Sequence, residues 1–323
     1  MPLTEGLVSR KMCIGPPTQG YAEKRKKKPA FAVTLKFNPH HDKEDGRFTF
    51  GSGGGKSGSK RTPAQQAIQD AFARQEKKPV HKVKTAEEAV ALVLKGENVE
   101  IQDTKDVHTV LKKLGEMAIE AKSKGSKAPN FDPCTITVKG VSLFCTEKIR
   151  TEEFPHGIPR IEMPQFKSLT PIEGTDADKL PRDDQGEVDA SGAFLSHLKE
   201  LGVATEVKSV LARKLKASQA EMEGSKVAGM MLNEKRNPKE AHIWVSKDNY
   251  VIDGHHTWAS AVGRDAEDGN LDNDMKMKVV VVDMPMSEVY HLAKKWTRAY
   301  GLPGHGVAKR EFRHVLAGSQ KGE

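Results

Sequence analysis

Between residues 62 and 149 the hydrophobic positions follow helical and strand periods in turn, which predicts a small unit of mixed α and β structure. Two helices are predicted to begin at threonine caps: Thr62, with a proline after it, and Thr85, with a glutamate in capping-box spacing. "ENVEIQD" (97–103) predicts a short strand, and 106–125 predicts a third helix. The apolar stripe of that helix comprises Val107, Val110, Leu111, Leu114, Met117 and Ala118.

The sequence "CTITVKGVSLFC" (134–145) predicts a β-hairpin with Lys139-Gly140 as its two-residue turn. Three pairs of residues then face one another on an entirely apolar face: Val138 with Val141, Ile136 with Leu143, and Cys134 with Cys145. In this register the cysteines occupy a hydrogen-bonded position, where Cα atoms are farther apart and a disulfide is less favourable. We therefore predict two reduced thiols in the core, with a disulfide or a redox role as the alternative.

After residue 149 the pattern changes, and the three prolines of 150–166 predict an extended segment between two domains. The elements predicted beyond it are helices over 190–202 and 207–222, a short turn or helix over 224–232, two strands within 241–253, a helix that ends at Gly263, a strand within 277–285 and a helix over 287–301 with Ser287 as its N-cap. The strand within 277–285 contains four consecutive valines, which indicates burial on both faces of a sheet.

The two ends of the chain lack this periodicity. The basic run "EKRKKKP" and the low-complexity stretch "GSGGGKSGSK" cannot bury enough apolar surface to offset the entropy of ordering. The stretch contains Gly-Lys-Ser, but position 50, where a phosphate-binding loop needs glycine, is Phe50, so we interpret it as a flexible linker. The predicted organisation is a disordered basic tail over 1–61, an α+β module over 62–149, a second domain over 150–305 and a basic tail over 306–323.

The formal net charge of +8 favours polyanions or acidic surfaces as partners. The basic run at 23–29 suits contacts with DNA by counterion release, and a solvated arm is the alternative. No apolar run is long enough to cross a membrane, and the first residues lack the apolar segment of a signal peptide. We predict a protein of a reducing compartment that has no membrane partner and is not secreted through a signal peptide.

The stretch "YVIDGHHTWASAVG" (250–263) joins a predicted strand to a predicted helix and carries the candidate site. The first amides of a helix have no partner within it and, together with the helix dipole, favour an anion such as phosphate. Gly254 leaves room for a ligand to approach the backbone closely, and Thr257 and Ser260 offer hydroxyl donors.

Three ionisable residues of this stretch are candidate catalytic groups: Asp253, His255 and His256. Histidines can donate to phosphate or move protons near neutral pH, and Asp253 can bind Mg²⁺ through its oxygens or orient a histidine. Two adjacent histidines diverge on a helix, so they do not form a metal site by themselves. The alternative is that Asp253 only caps the helix and that both histidines are surface residues.

The segment from Lys226 to Tyr300 resembles the ParB/sulfiredoxin-like superfamily. The stretches that carry the resemblance are, in order, "KVAGMML", "AHIWVSKDNYVID", "DGHHTWASAV", "MKVVVVDM" and "SEVYHLAKKW". The resemblance implies an α+β fold in which helices flank a small mixed sheet, with nucleotide phosphates bound at the loop and helix start. Members of the superfamily include nucleotide-switch DNA clamps, ATP-dependent sulfinic acid reductases, free-serine kinases and nucleases.

By position, the resemblance matches Gly254 to the motif glycine, His255 to the variable catalytic position and His256 to the basic residue after it. Because His255 stands in place of the sulfiredoxin cysteine, sulfinic acid chemistry is not expected. Thr257 stands where most members carry arginine, the usual bidentate phosphate ligand, so either another cation takes its place or nucleotide binding is weakened or lost. The residues implied as replacement cations or further phosphate ligands are Lys226, Arg160, Arg264, Gln165 and Gly229.

Two other stretches resemble phage proteins. "NPHHDKEDGRFTFGSGGGK" (38–56) resembles a linker of tailed-phage head proteins, and the block from "AEEAV" to "MPQ" (86–165) resembles a module that accompanies ParB-like domains in phage proteins. Together the two stretches cover most of 38–165. The resemblance implies a phage-encoded protein located in the host cytoplasm or in the virion, with phage head proteins as partners.

These observations predict an enzyme that binds a nucleoside triphosphate or ADP and catalyses Mg²⁺-dependent phosphoryl transfer or phosphodiester hydrolysis at the "DGHHTW" junction. The missing arginine favours the alternative, a catalytically degenerate module that binds DNA or a capsid partner through its basic surface.

Overall fold

The structure, a computed structural model, describes residues 61–233, 243–270 and 275–302. These residues belong to a compact unit that begins at Arg61. The predictions for the two tails, including the basic run, the Gly-rich linker and the linker resemblance at 38–56, lie outside the described residues.

The described residues form a mixed α+β structure, which confirms the predicted fold class at this coarse level. Its α-helices are α1 (Pro63–Glu76), α2 (Ala86–Leu94), α3 (Thr104–Ser123), α4 (Ser191–Glu200), α5 (Gly224–Leu232), α6 (His255–Asp265) and α7 (Met286–Tyr300). Its strands are β1 (Val80–Lys82), β2 (Asn98–Ile101), β3 (Ile136–Val138), β4 (Val141–Ser142), β5 (Lys167–Ser168), β6 (Val188–Asp189), β7 (Thr205–Leu211), β8 (Ile243–Ser246), β9 (Val251–Asp253) and β10 (Lys276–Val282).

The strands form two four-stranded sheets and a two-stranded ribbon of β5 and β6. In the first sheet the order is β1-β2-β3-β4, with the first three strands parallel and β4 antiparallel. In the second the order is β7-β10-β8-β9, where β10 runs parallel to β8 and antiparallel to β7. Of the described strands, the one that comes last along the chain therefore lies in the middle of its sheet.

The helix starts predicted at Thr62 and Thr85 are confirmed, whereas the third helix begins two residues earlier than predicted, at Thr104 with Asp103 as its N-cap. The Thr62 hydroxyl accepts from the Gln65 amide while the Gln65 side chain accepts from the Thr62 amide, a complete capping box. Thr85 also caps its helix by accepting from the Glu88 amide. The Glu88 carboxylate accepts from the Lys84 amide and not from the Thr85 amide, so this capping box is incomplete. The stripe of α3 is buried as predicted except for Met117, which is 38% exposed.

The predicted hairpin is only partly formed. Lys139 and Gly140 make the turn with positive φ angles, and Val138 lies opposite Val141, but the ladder ends one pair later. Ile136 therefore does not pair with Leu143, and Val141 is 51% exposed instead of lying on a buried apolar face.

Cys134 and Cys145 form a disulfide with their Cα atoms 5.3 Å apart, so the prediction of two reduced thiols is wrong. The predicted obstacle was the wide spacing of a hydrogen-bonded pair within a ladder. Cys134 instead lies in a 3₁₀ turn, Pro133–Thr135, outside the ladder, and its Cα distance falls in the ordinary range for a disulfide.

The helix predicted over 207–222 is wrong. Residues 205–211 form β7, which pairs with β10 along its whole length, and a 3₁₀ turn follows at Ala212–Lys214. Cross-strand pairing with a valine-rich strand outweighs the weak helical spacing of this stretch. Gln219 and Glu221 consequently lie on irregular chain and not on a helix.

Three boundaries in the C-terminal part also differ from prediction. α6 continues through Gly263 to Asp265, because this glycine lies against α3 and α5: an added Cβ would be 3.0 Å from Leu111 Cδ1 and 3.1 Å from Met231 Sδ. α7 begins at Met286 with Pro285 as its N-cap residue, so Ser287 is not the cap. β10 is buried on both faces only in its valine run, because the lysines at its start are exposed.

One hydrophobic core cluster joins residues from both sides of position 149. It packs residues such as Leu111 and Ile136 together with Trp258 and Val279. The proline-containing segment 150–166 is also packed and is not an open extended segment. Its buried side chains, Phe154, Ile158, Met163 and Phe166, belong to a second core cluster with β8, β10 and α7.

Candidate functional site

The predicted strand-to-helix junction is present and depends on Gly254. β9 ends at Asp253, Gly254 is the N-cap residue with φ 93°, and α6 begins at His255. A Cβ on Gly254 would lie 2.5 Å from Ile243 Cγ2, so both its backbone conformation and its neighbour require glycine. The alternative in which Asp253 caps the helix is wrong, since α6 has no side-chain cap.

Asp253 is partly buried, and its Oδ1 accepts from the Gly254 amide at 2.9 Å. Burial raises the pKa of this carboxyl, against the opposing effects of that amide and of the nearby Lys167 and Lys226 charges. Asp253 offers one carboxylate, and within the described ranges no group of three or more His, Cys, Asp or Glu could hold a metal ion. The binding of Mg²⁺ by Asp253 stays a prediction.

His255 is buried, with 2% exposure, and its Nε2 lies 2.8 Å from Oγ of the fully buried Ser218. The Ser218 hydroxyl donates its one proton to the Val251 carbonyl at 2.6 Å, so His255 Nε2 must be the donor to Ser218 Oγ. Burial lowers the pKa of His255 to about 3, which keeps the imidazole neutral. In this structure His255 therefore neither activates Ser218 nor reaches solvent.

The other polar residues of the junction, His256, Thr257 and Ser260, differ in burial and in their hydrogen-bond partners. His256 is half-buried, and its Nε2 accepts from the Glu223 amide at 3.2 Å, which ties the start of α6 to the start of α5. Thr257 and Ser260 are buried, and the Ser260 hydroxyl donates to the Thr257 carbonyl at 2.8 Å. Their predicted contacts with phosphate are untested, but neither hydroxyl lies on the surface.

A groove of about 480 Å³ opens beside this junction, at the N-terminal end of α5. Glu223, the N-cap residue of α5 and the partner of His256, forms part of its wall. The complete lining is Lys127, Ala128, Pro129, Asn130, Arg160, Ile161, Glu221, Met222, Glu223 and Ser225.

Of the predicted phosphate ligands, Arg160 lies on the groove wall. Its Nη1 donates to Glu223 Oε2 at 3.0 Å, and its Nε is buried without a hydrogen-bond partner. Lys226 is exposed in the first turn of α5, directly after the lining residue Ser225. The structure thus brings two predicted cations to the same end of α5.

The remaining predicted ligands lie away from the groove lining. Gln165 is half-buried and donates to the Met163 carbonyl at 3.3 Å. Gly229 is on α5 with no atom within 4 Å of an added Cβ. Arg264 donates to the carbonyls of Met230, Met231 and Asn233, so it holds the C-terminal end of α5.

The sequence did not identify Glu221 as a site residue. This half-buried carboxyl lines the groove; its Oε1 accepts from the Arg160 amide at 2.9 Å, and its Oε2 is buried without a partner. Burial, and to a lesser extent the charge of Asp132, raises the pKa of Glu221 to about 7, against the lowering effect of the Arg160 amide. The neighbouring sequence does not mark Glu221 as a site residue, because the segments that surround its side chain come from distant parts of the chain.

Asp132 forms a half-buried acidic pair with Glu221. Its Oδ1 accepts from the amides of Cys134 and Met222, at 3.0 Å and 3.1 Å. Burial raises the pKa of this carboxyl to about 6. The disulfide hairpin is thereby connected, through Asp132, to the chain segment that carries Glu221.

Comparison with known proteins supplies no relative: no protein-family model, curated protein or solved structure matches this chain. Its own fold and site describe it as a mixed α+β protein with a groove lined by Arg160 and Glu221. No helix of the described ranges has both the length and the apolar character needed to cross a membrane.

Proposed function

We propose that the groove binds the phosphate group of a nucleotide and that the protein is an enzyme of phosphoryl transfer or phosphodiester hydrolysis. The observation that supports this most directly is Glu221, a carboxyl that lines the groove with Arg160, has a pKa raised to about 7 and has a buried Oε2 without a hydrogen-bond partner. A carboxyl shifted in this way, next to a cation in a groove, is typical of a catalytic acid or base.

The anion is held by the basic side of the groove. Arg160 lines the groove and donates to Glu223 through Nη1, and its guanidinium charge favours a phosphate bound in the groove. Lys127 lines the same groove, and Lys226 adds charge at the adjacent start of α5. Helix amides and cations together favour a phosphate over a neutral ligand.

Glu221 serves as the general base. Near pH 7 about half of these carboxyls are ionised, so Glu221 can accept a proton from a water or hydroxyl oxygen as that oxygen attacks phosphorus. The bond between phosphorus and the leaving oxygen then breaks. His255 takes no direct part in this scheme, since its neutral imidazole is buried; His256 positions Glu223 through its backbone amide.

The resemblance to the ParB/sulfiredoxin-like superfamily supports a nucleotide as the source of the phosphate. The "DGHHTW" motif, which carries the resemblance, forms the junction beside the groove. The hairpin strands β8 and β9 come before this motif and β10 comes after it, as in the family pattern. We extend the proposal to Mg²⁺ carried by the nucleotide, to a phage origin and to head proteins as partners on the resemblances alone.

A binding module without catalysis is the second candidate. The burial of both His255 and Thr257, the latter in place of the family arginine, favours it. In that case the basic run at 23–29 binds DNA, and the groove has no turnover.

Calorimetric titration with ATP, CTP and ADP, with and without Mg²⁺, tests the proposal. We expect binding by the wild type, at least ten-fold weaker binding by Arg160→Ala because a charged hydrogen bond to phosphate is lost, and retained binding without turnover by Glu221→Gln. The exposed Arg74→Ala and Glu267→Gln are matched controls and should behave as wild type. No heat with any of the nucleotides, alongside salt-dependent binding of DNA, would support the binding module instead.

A further inference from the structure

β7 is the outer strand of the second sheet. It pairs with β10 through seven residues on one side, and no other described strand pairs with its second side. Residues 205–209 are all exposed, and Val207 is 60% exposed. An exposed edge strand of this length presents unpaired backbone donors and acceptors, which readily accept another strand.

The sequence of β7 is complementary to itself in only one of its central registers. Outward-pointing backbone groups alternate along a strand, so two copies related by a two-fold axis must be centred on a residue. Centring on residue 206 or 208 sets glutamate against glutamate or lysine against lysine. Centring on Val207 gives these cross-strand pairs: Glu206 with Lys208, Thr205 with Ser209, and Val207 with Val207.

We propose that two copies of this chain associate through antiparallel β7 strands centred on Val207, which joins their four-stranded sheets into one of eight strands. Within one chain Lys208 Nζ already lies 2.9 Å from Glu206 Oε2, so both charges share a face of the strand and each gains a second partner across the axis. The exposed Val207 side chains then cover each other. None of the groove residues lies on β7, so this proposal and the nucleotide site fail independently.

Sedimentation velocity of the full chain across the micromolar range tests the dimer. The wild type should show a monomer–dimer equilibrium, and Glu206→Lys and Lys208→Glu should each weaken it about ten-fold or more, because each sets two pairs of like charges face to face. The double variant Glu206→Lys/Lys208→Glu should regain the wild-type affinity. Glu267→Lys, an exposed change of the same sign elsewhere, should not alter it.

Mixing the two single variants is the sharpest arm of the experiment. One strand then carries lysine at both positions and the other glutamate at both, so a heterodimer has two favourable pairs although each homodimer has none. Circular dichroism checks that all variants remain folded. A wild type that stays monomeric, a dimer that ignores both single variants, or single variants that do not associate when mixed would each overturn the proposal.

Discussion

Glu221 is a residue whose titration changes the stability of the molecule with pH. Its pKa is raised by burial from 4.5 to about 7, so the folded protein retains a proton that the unfolded chain releases. The stability from this proton is fully present below about pH 4.5 and is lost as the pH rises through about 7. Asp132, with its pKa raised to about 6, acts in the same direction.

Raising the pH from 5 to 8 should therefore remove on the order of 3 kcal/mol of stability through Glu221. Urea unfolding of the wild type and of Glu221→Gln at both values measures this. The variant keeps a neutral side chain at every pH, so its stability should fall less. His255 is present in both proteins, so the difference between their stability losses measures the contribution of Glu221 alone. An identical loss in both would contradict the raised pKa.

At the same scale, the sequence indicated where the candidate site lies but not what each side chain does. The glycine between Asp253 and His255 correctly predicted the junction, because its conformation is a local property. Which imidazole is buried depends on Ser218, which packs from another part of the chain. His255→Ala also removes a buried side chain, so lost activity in that variant would report folding as well as function.

At the scale of elements, the disulfide between Cys134 and Cys145 makes a clear prediction. Closing this short loop should stabilise the protein by about 3 kcal/mol, so Cys134→Ser/Cys145→Ser should lower the unfolding free energy by that amount. The chain has three cysteines, so thiol titration of unreduced, denatured protein should find one free thiol. Reductant should destabilise the wild type and leave the double variant unchanged; three free thiols without reductant would contradict the bond.

Elements held by local chemistry were predictable, and elements held by distant partners were not. The caps of α1 and α2 and the turn at Lys139-Gly140 depend on neighbours in sequence, and all three are present. β7 was predicted as a helix because its apolar spacing permits one, while its strand partner β10 lies far along the chain.

At the scale of the whole molecule, the contact of α3 with α5 joins the N-terminal unit to the rest. An added Cβ on Gly115 of α3 would lie 2.7 Å from Leu232 Cδ1 and 3.1 Å from the Ala228 carbonyl oxygen. Gly115→Val should therefore lower the unfolding free energy by about 2 kcal/mol or more, as overpacked cores do.

Gly229→Val is the matched control, because nothing lies within 4 Å of a Cβ at that helical position. Its unfolding free energy should stay within about 0.5 kcal/mol of the wild type, since valine is a slightly better helix residue than glycine. Equal stability of the two variants, measured by urea titration, would show that the α3–α5 contact does not hold the units together.

The groove is formed by segments that are far apart in the sequence. Lys127, Arg160 and Glu221 come from three separate stretches, and α3, α5 and the second core cluster bring them together. Sequence patterns predicted Arg160 through a resemblance, but they could not predict the burial that sets the pKa of Glu221. That burial arises from the packing of segments that no periodicity connects.

The central place of β10 has a consequence for synthesis. Ribosomes release β7, β8 and β9 before residues 276–282 emerge, so for that interval β7 has no strand on either side and β8 lacks one of its two neighbours. The second sheet therefore closes late in translation. A nascent chain that stalls upstream of β10 presents bare strand edges and becomes a substrate for chaperones or for aggregation.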